Sequence, residues 1–88
     1  MPCWTVEYSE QAAQTLDKLD KIMRERIKKY LDELPDYPDP RNRGKALTGT
    51  LSGRWRYRVG DYRIICKFQN DKLIILVLEI GHRSKIYK

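Results

Sequence analysis

The sequence predicts an α+β fold with the element order β-α-α-β-β-β, in which a pair of helices covers one face of an antiparallel sheet. Three observations predict it. Apolar residues recur at helical spacing in the first half, prolines interrupt the middle, and apolar and basic residues alternate in the second half. With 88 residues, the chain suits one domain over 1–88, built on one modest core.

The first half predicts a short strand followed by two helices. Residues 4–8 alternate like a strand, and Ser9 follows them as a candidate helix N-cap. Apolar residues then recur every three or four positions, and Asp20 can cap a second start, so we predict helices at about 9–18 and 20–34. Prolines at positions 35, 38 and 40 end the second helix and make 35–43 a loop.

The second half predicts three strands. Residues 54–59 alternate strictly, and Gly60-Asp61 is a two-residue hairpin signal that leads into a return strand over 62–69. Asn70-Asp71 marks another turn. The run over 73–80 is almost entirely apolar, so we expect a central strand that is buried on both faces.

The first hairpin separates an apolar face from a basic face. If Gly60-Asp61 is the loop, Val59 pairs with Tyr62, and Arg58 lies directly opposite Arg63. The apolar face then carries Trp55, Tyr57, Val59, Tyr62, Ile64, Cys66 and Phe68. The basic face carries Arg54, Arg56, Arg58, Arg63 and Lys67. Like charges opposite one another destabilise a sheet, and guanidinium groups bind phosphate in bidentate fashion, so this face predicts an anion site.

The charge distribution points in the same direction. The first 44 residues carry eight Lys/Arg against nine Asp/Glu, whereas residues 45–88 carry ten against three. Such asymmetry favours nucleic acid or another polyanion as partner, although a surface charged simply for solubility is the alternative.

Several classes of function are disfavoured. With no run of 18 apolar residues and no signal-peptide pattern, we expect a cytoplasmic protein with no membrane partner. Cys3 and Cys66 fit buried free thiols. The basic half holds three carboxylates, and Gly44-Lys45-Ala46 lacks the order of a phosphate-cradling loop, so we expect no metal and no small-molecule cofactor.

The C-terminal segment adds further candidates. His82, the one histidine, is followed by Arg83, Lys85 and Tyr87. Histidine changes charge near neutral pH, and tyrosine can donate a proton or stack on a base. We expect His82 to lie beside the arginine face at the end of the neighbouring strand.

These motifs resemble a known family. The segment 45–49, the hairpin WRYRVGDYRI at 55–64 and the segment GHRSKIY at 81–87 are similar to the RelE/ParE superfamily of bacterial toxin–antitoxin toxins, and most similar to its RelE branch. The resemblance covers the chain in length and element order. It implies a microbial-RNase-like fold and a ribosome-dependent mRNA endonuclease that cuts in the A site without a metal. It also implies a cognate antitoxin.

The resemblance also implies roles for individual residues. The basic residues of the family's first hairpin strand fall on Arg56 and Arg58, and the arginine after the turn falls on Arg63. We assign Arg58 and Arg63 to the phosphate, and His82 and Arg83 to proton transfer or leaving-group stabilisation. Tyr87 would orient the substrate. The remaining RNA contacts are assigned to Arg54, Arg56, Lys67 and Lys85.

The chain departs from the family pattern at three positions. It has Arg56 and Arg58 where members of the RelE branch carry lysines, one of which has been assigned as the base, and Thr48 where a further basic residue stands. Arginine stays protonated and is a poor base, so His82 is the best-suited proton shuttle in this sequence.

Two other functions compete with the nuclease. One is a ParE-like toxin that inhibits DNA gyrase by binding, and the other is a plain RNA-binding module. The basic hairpin with His82 and Tyr87 favours the nuclease, because a pure binder does not need that cluster. The expected partners are therefore mRNA, the ribosome and an acidic antitoxin.

Overall fold

The computed structural model describes residues 4–83 and contains one five-stranded sheet covered on one face by two helices. The elements in chain order are β1 (Thr5–Tyr8), α1 (Glu10–Lys18), α2 (Lys21–Glu33), β2 (Lys45–Ala46), β3 (Arg54–Val59), β4 (Tyr62–Gln69) and β5 (Ile74–His82). The predicted α+β class and the predicted elements are thereby confirmed. The short strand β2 was not predicted, because two residues show no periodicity.

Both helix starts lie where the sequence places them. Ser9 accepts a hydrogen bond from the Ala12 N–H at 3.0 Å, and Asp20 accepts one from the Met23 N–H at 2.9 Å. Each cap satisfies a donor that has no partner within the helix, which fixes the start of the helix. The connection that follows α2 contains two short 3-10 turns, Leu34–Asp36 and Pro40–Arg43.

The sheet is mixed rather than antiparallel, which corrects the prediction. Its strand order is β1-β5-β4-β3-β2, and β1 runs parallel to β5 while the other pairs are antiparallel. The two helices carry the chain from β1 to the far edge of the sheet. The last strand then enters beside β1 in the same direction.

The core lies between the helices and one face of the sheet. Ile27 and Leu31 of α2 are completely buried, as are Ile64 of β4 and Ile75 and Val77 of β5. The other face of β5 is only half-buried, so the expectation that this strand is buried on both faces is wrong. Helices cover a single face here, unlike the doubly covered sheets from which the expectation was taken.

Candidate nucleic-acid interface

The β3–β4 hairpin adopts the predicted register. Val59 pairs with Tyr62 and Arg58 with Arg63 across the turn. Gly60 has a φ of 59°, and Asp61 is outside the left-handed region, which is the pattern of a two-residue turn with glycine first. Arg58 and Arg63 therefore lie side by side on the face that the helices leave open.

The open face contains a basic cleft of about 370 Å³. Its lining consists of Arg43, Gly44, Lys45, Arg56, Arg58 and Arg63. Three of the five cationic residues were predicted from the hairpin. Arg43 and Lys45 were missed, because they lie before the hairpin in a segment without periodicity. Their flanking of Gly44 is the one local signal that could have pointed to them.

Close packing holds the segment 43–45 against β3. Lys45 pairs with Arg56 in the short strand ladder. A Cβ added to Gly44 would lie 2.7 Å from the Arg56 carbonyl oxygen and 2.9 Å from the Tyr57 ring, so only glycine fits this approach. The buried Tyr57 hydroxyl donates a hydrogen bond to the Pro40 carbonyl at 2.8 Å. Tyr57 thus links the core to the wall of the basic cleft.

Arg58 and Arg63 form no ion pair with an acid of the described residues. Among residues 4–83, no carboxylate lies within 4.0 Å of the guanidinium of Arg58 or Arg63. The Arg63 guanidinium turns back to the backbone, with Nη1 3.5 Å from the Gly60 carbonyl and 3.4 Å from that of Tyr62. Such uncompensated guanidinium groups form a site for an anion, and their planar donors match phosphate.

The one ion pair found within this part of the chain serves a different purpose. Arg41 binds Asp39 at 3.0 Å, and its guanidinium also lies 5.4 Å from the centre of the Phe68 ring. Hydrogen bonds from Arg41 hold the pKa of Asp39 below its usual range. This pair fixes the start of the 3-10 turn Pro40–Arg43, and neither Arg41 nor Asp39 lines the cleft.

His82 lies on the helix face of the sheet, so the expectation that it lies beside the arginines is wrong. Tyr62 pairs directly with His82, and the two rings meet edge to face at 5.6 Å. His82 lines a separate pocket of about 330 Å³ with Thr15 of α1 and with Leu19, which follows that helix.

A β-bulge explains the position of His82. The pairing between β4 and β5 shifts by one residue between Ile65 and Cys66. Strict alternation from the buried Val77 would place His82 on the open face, but the shift makes Ile80 the next buried residue. A slip of one residue moves every later side chain to the other face, and the sequence carries no visible mark of it.

The other predicted site residues within the described part of the chain lie outside the basic cleft. Arg54 pairs with Lys67 at the far end of the hairpin, and neither lines the basic cleft. The backbone N–H of Arg83 donates to the Asp61 carbonyl at 2.9 Å, which brings this exposed residue beside the hairpin turn. Lys85 and Tyr87 lie outside the described residues, and so does Cys3.

Cys66 fits the predicted structural role. It is completely buried, and burial raises the pKa of its thiol to about 12, so the thiol stays protonated and unreactive. Within the described range 4–83, the structure groups no three His, Cys, Asp or Glu side chains around a possible metal position. In the same range, no helix has the length and hydropathy to cross a membrane.

Fold and cleft together define the class: a small α+β protein whose mixed sheet has one helix-covered face and one cationic face. Residues 6–87 match the family model of the ParE toxin of type II toxin–antitoxin systems, parDE. The chain therefore belongs to this toxin family.

Relatives agree with this assignment. Toxin RelG of Mycobacterium tuberculosis is 27% identical over 86 residues, which are 97% of each chain. The chain has the fold seen in the toxin–antitoxin complex RelBE2 of the same organism, with a TM-score of 0.83, 24% identity and coverage of 92% and 99% of the two chains. The archaeal RelE–RelB complex of Pyrococcus horikoshii gives a TM-score of 0.73 at 28% identity, covering 94% and 98%. The predicted resemblance to the RelE/ParE toxins is confirmed.

Proposed function

We propose that this toxin is an endoribonuclease that cuts mRNA in the ribosomal A site, in the manner of the RelE branch. The observation that carries the proposal is the basic cleft, in which five cationic residues converge on the open face. The relatives named RelG and RelE support the same branch, although the matching family model is described by its ParE members.

The proposed reaction is a transesterification within the message. The ribose 2′ oxygen attacks the adjacent phosphorus, the bond from phosphorus to the 5′ oxygen breaks, and the products are a 2′,3′-cyclic phosphate and a 5′-hydroxyl. Arg58 and Arg63 stabilise the charge that builds up on the phosphate oxygens. Arg56 binds a flanking phosphate, and Arg83, beside the hairpin turn, stabilises the leaving oxygen.

Proton transfer needs groups other than the cleft arginines. A guanidinium stays protonated and cannot accept the proton of the 2′-hydroxyl. His82 faces the helices rather than the cleft, so in our proposal it does not contact the reacting atoms. Tyr87 stays the predicted residue for substrate orientation, and the proton acceptor comes from outside the described residues or from the ribosome.

Primer extension on mRNA from translating extracts tests the nuclease. Wild-type toxin should produce cuts confined to translated codons, and Arg58→Ala should remove most of them. Lys21→Ala, which deletes a charge on an exposed position of α2, serves as the matched control and should cut like wild type. Intact message together with gyrase-dependent DNA breaks would instead support the ParE-like function.

The partner we propose is an acidic antitoxin that is disordered when free and folds on the toxin. The relatives solved as RelBE2 and RelE–RelB complexes support an antitoxin partner. Raising salt from about 50 to 500 mM shortens the Debye length from roughly 14 to 4 Å. Association in stopped-flow mixing should then slow at least tenfold with little change in dissociation. A salt-independent association rate would mean that the antitoxin docks away from the cationic face.

A further inference from the structure

We propose that the RNA strand continues from the basic cleft across Arg58 into a second groove on α2, where Arg26 and Lys29 bind its phosphates. This inference rests on the proposed function, and it extends the RNA-binding surface to a helix in the first half of the chain, where basic residues do not outnumber acidic ones. The residues that carry it are Arg58, which belongs to both grooves, and the side chains of α2 that face the hairpin turn.

Arg58 lines two adjoining grooves. The first is the basic cleft of about 370 Å³, and the second is a groove of about 340 Å³ between α2 and the end of the hairpin. The lining of this second groove consists of Arg26, Lys29, Tyr30, Glu33, Arg58, Val59 and Gly60. A phosphate chain that contacts Arg58 in the cleft therefore has a second cationic surface directly beside it.

Helical spacing aims the α2 residues at the hairpin. Positions 26, 29, 30 and 33 form one stripe along the helix, next to the buried anchors Ile27 and Leu31. The turn lies under this stripe, because a Cβ added to Gly60 would be 3.3 Å from Arg26 Nη1. Arg63 Nη1 approaches the carbonyl of the same Gly60 at 3.5 Å, so guanidinium groups from the helix and the sheet converge on one turn.

Among the described residues, no β-strand separates the two grooves. Strand β2 pairs only with Arg56 and Trp55, so within residues 4–83 no strand neighbours the outer edge of β3 from Tyr57 to Val59. Tyr30 connects the walls of the two grooves, since it lines the second groove and its hydroxyl lies 3.5 Å from the Arg43 carbonyl of the first. An RNA backbone that follows this edge would therefore meet Arg58, which lines both grooves, with no further β-strand beside it.

The charge of the second groove fits a nucleic-acid backbone. Across the described part of the chain, no carboxylate lies within 4.0 Å of the cationic group of Arg26 or Lys29. Glu33 is the single acid among the lining residues and stands one turn beyond Lys29. Exposed cations of this kind contact phosphates without reading bases, which suits an enzyme that must accept many message sequences.

Binding of a 5′-fluorescein-labelled single-stranded RNA, followed by anisotropy between 50 and 300 mM NaCl, tests the inference. The Arg26→Ala/Lys29→Ala variant removes two phosphate contacts. The slope of log Kd against log salt should therefore fall by about 1.4, with affinity near 100 mM weakened about tenfold or more. Lys21→Ala/Lys28→Ala removes the same charge from the opposite, exposed side of α2 and should change the slope by less than half as much. Alanine preserves the helix in both variants.

One further variant, together with the cleavage activity of the wild-type toxin, separates this inference from the proposed function. Glu33→Gln should tighten RNA binding, because it removes the acid beside the phosphates. If the salt slope of Arg26→Ala/Lys29→Ala equals that of the Lys21→Ala/Lys28→Ala control, the inference is overturned even if the wild-type toxin cuts mRNA. The inference is also overturned if the wild-type protein binds no RNA at 50 mM salt. If the salt slope of Arg26→Ala/Lys29→Ala falls as expected but the wild-type toxin never cuts mRNA, the second groove binds RNA and the proposed nuclease function is rejected.

Discussion

Alternate residues of the β3–β4 hairpin form its two faces, and these faces have opposite effects on stability. Tyr57 and Ile64 point toward the helices and are at most 1% exposed, whereas their neighbours Arg58 and Arg63 point to the open side. Burial of the first pair stabilises the fold. Apposition of the second pair weakens the fold slightly and concentrates positive charge where we propose an anion site. One face therefore supplies the rigidity with which the other face holds Arg58 and Arg63 side by side.

Mutations on the helix face of the hairpin should lower stability the most. Tyr57→Ala should lower the free energy of unfolding by about 3–5 kcal/mol, because it empties a fully buried aromatic site. Tyr57→Phe keeps the ring and loses only the hydrogen bond to Pro40, so it should lose about 1–2 kcal/mol. Urea unfolding followed by tryptophan fluorescence measures both. Equal losses would show that the ring packing is unimportant.

Mutations on the open face should slow RNA cleavage and leave folding intact. Arg63→Ala should slow cleavage about a hundredfold, or about 2.7 kcal/mol, because one charge-stabilising donor is lost. Its free energy of unfolding should stay the same or rise by a few tenths of a kcal/mol, since the repulsion from Arg58 is relieved. Single-turnover cleavage and urea unfolding of the same preparation test the two parts. Normal cleavage, or a failure to fold, would remove Arg63 from the site.

Gly44 contacts the buried Tyr57 and lines the basic cleft, so its substitution should lower both stability and RNA binding. Gly44→Ala forces a Cβ against the Arg56 carbonyl and the Tyr57 ring at an ordinary φ of −127°, so the cost is steric, about 1–3 kcal/mol. It should also weaken RNA binding by displacing Lys45.

The matched control is Gly49→Ala. An added Cβ there meets nothing within 4 Å, and the strain comes only from a φ of +65°. This variant should lose stability and keep its RNA affinity. If Gly44→Ala also binds RNA normally, the segment 43–45 is not a wall of the RNA site.

The smallest effect is expected at His82, on the helix face. His82→Gln should lose about 0.5–1.5 kcal/mol of stability with the ring contact to Tyr62. It should change cleavage by less than about threefold, because a side chain on the helix face contributes no charge-stabilising donor to the cleft. A rate profile measured between pH 5 and 8 checks this. Flattening of that profile by the substitution would place His82 in the reaction despite its position.

The helix starts and the hairpin register could be predicted from the sequence, because both depend on interactions between nearby residues. Ser9 and Asp20 each cap a helix by accepting a hydrogen bond from the N–H three residues ahead. The Gly60-Asp61 turn fixes which residues of β3 and β4 lie opposite one another. Both are interactions over a few positions, so the two helix starts, the hairpin register and the arginine face followed from pattern and spacing. The elements and the α+β class followed from the same periodicities.

Contacts between segments that are distant in the sequence depend on how the whole chain packs. The parallel pairing of β1 with β5 joins residues about 70 positions apart, and no local rule selects it. The bulge at Ile65/Cys66 moves His82 to the helix face, and packing of α2 brings Arg26 to the turn at Gly60. Charge counted along the sequence could not reveal that last contact, because electrostatic neighbours are set by distance in space and not by position in the chain.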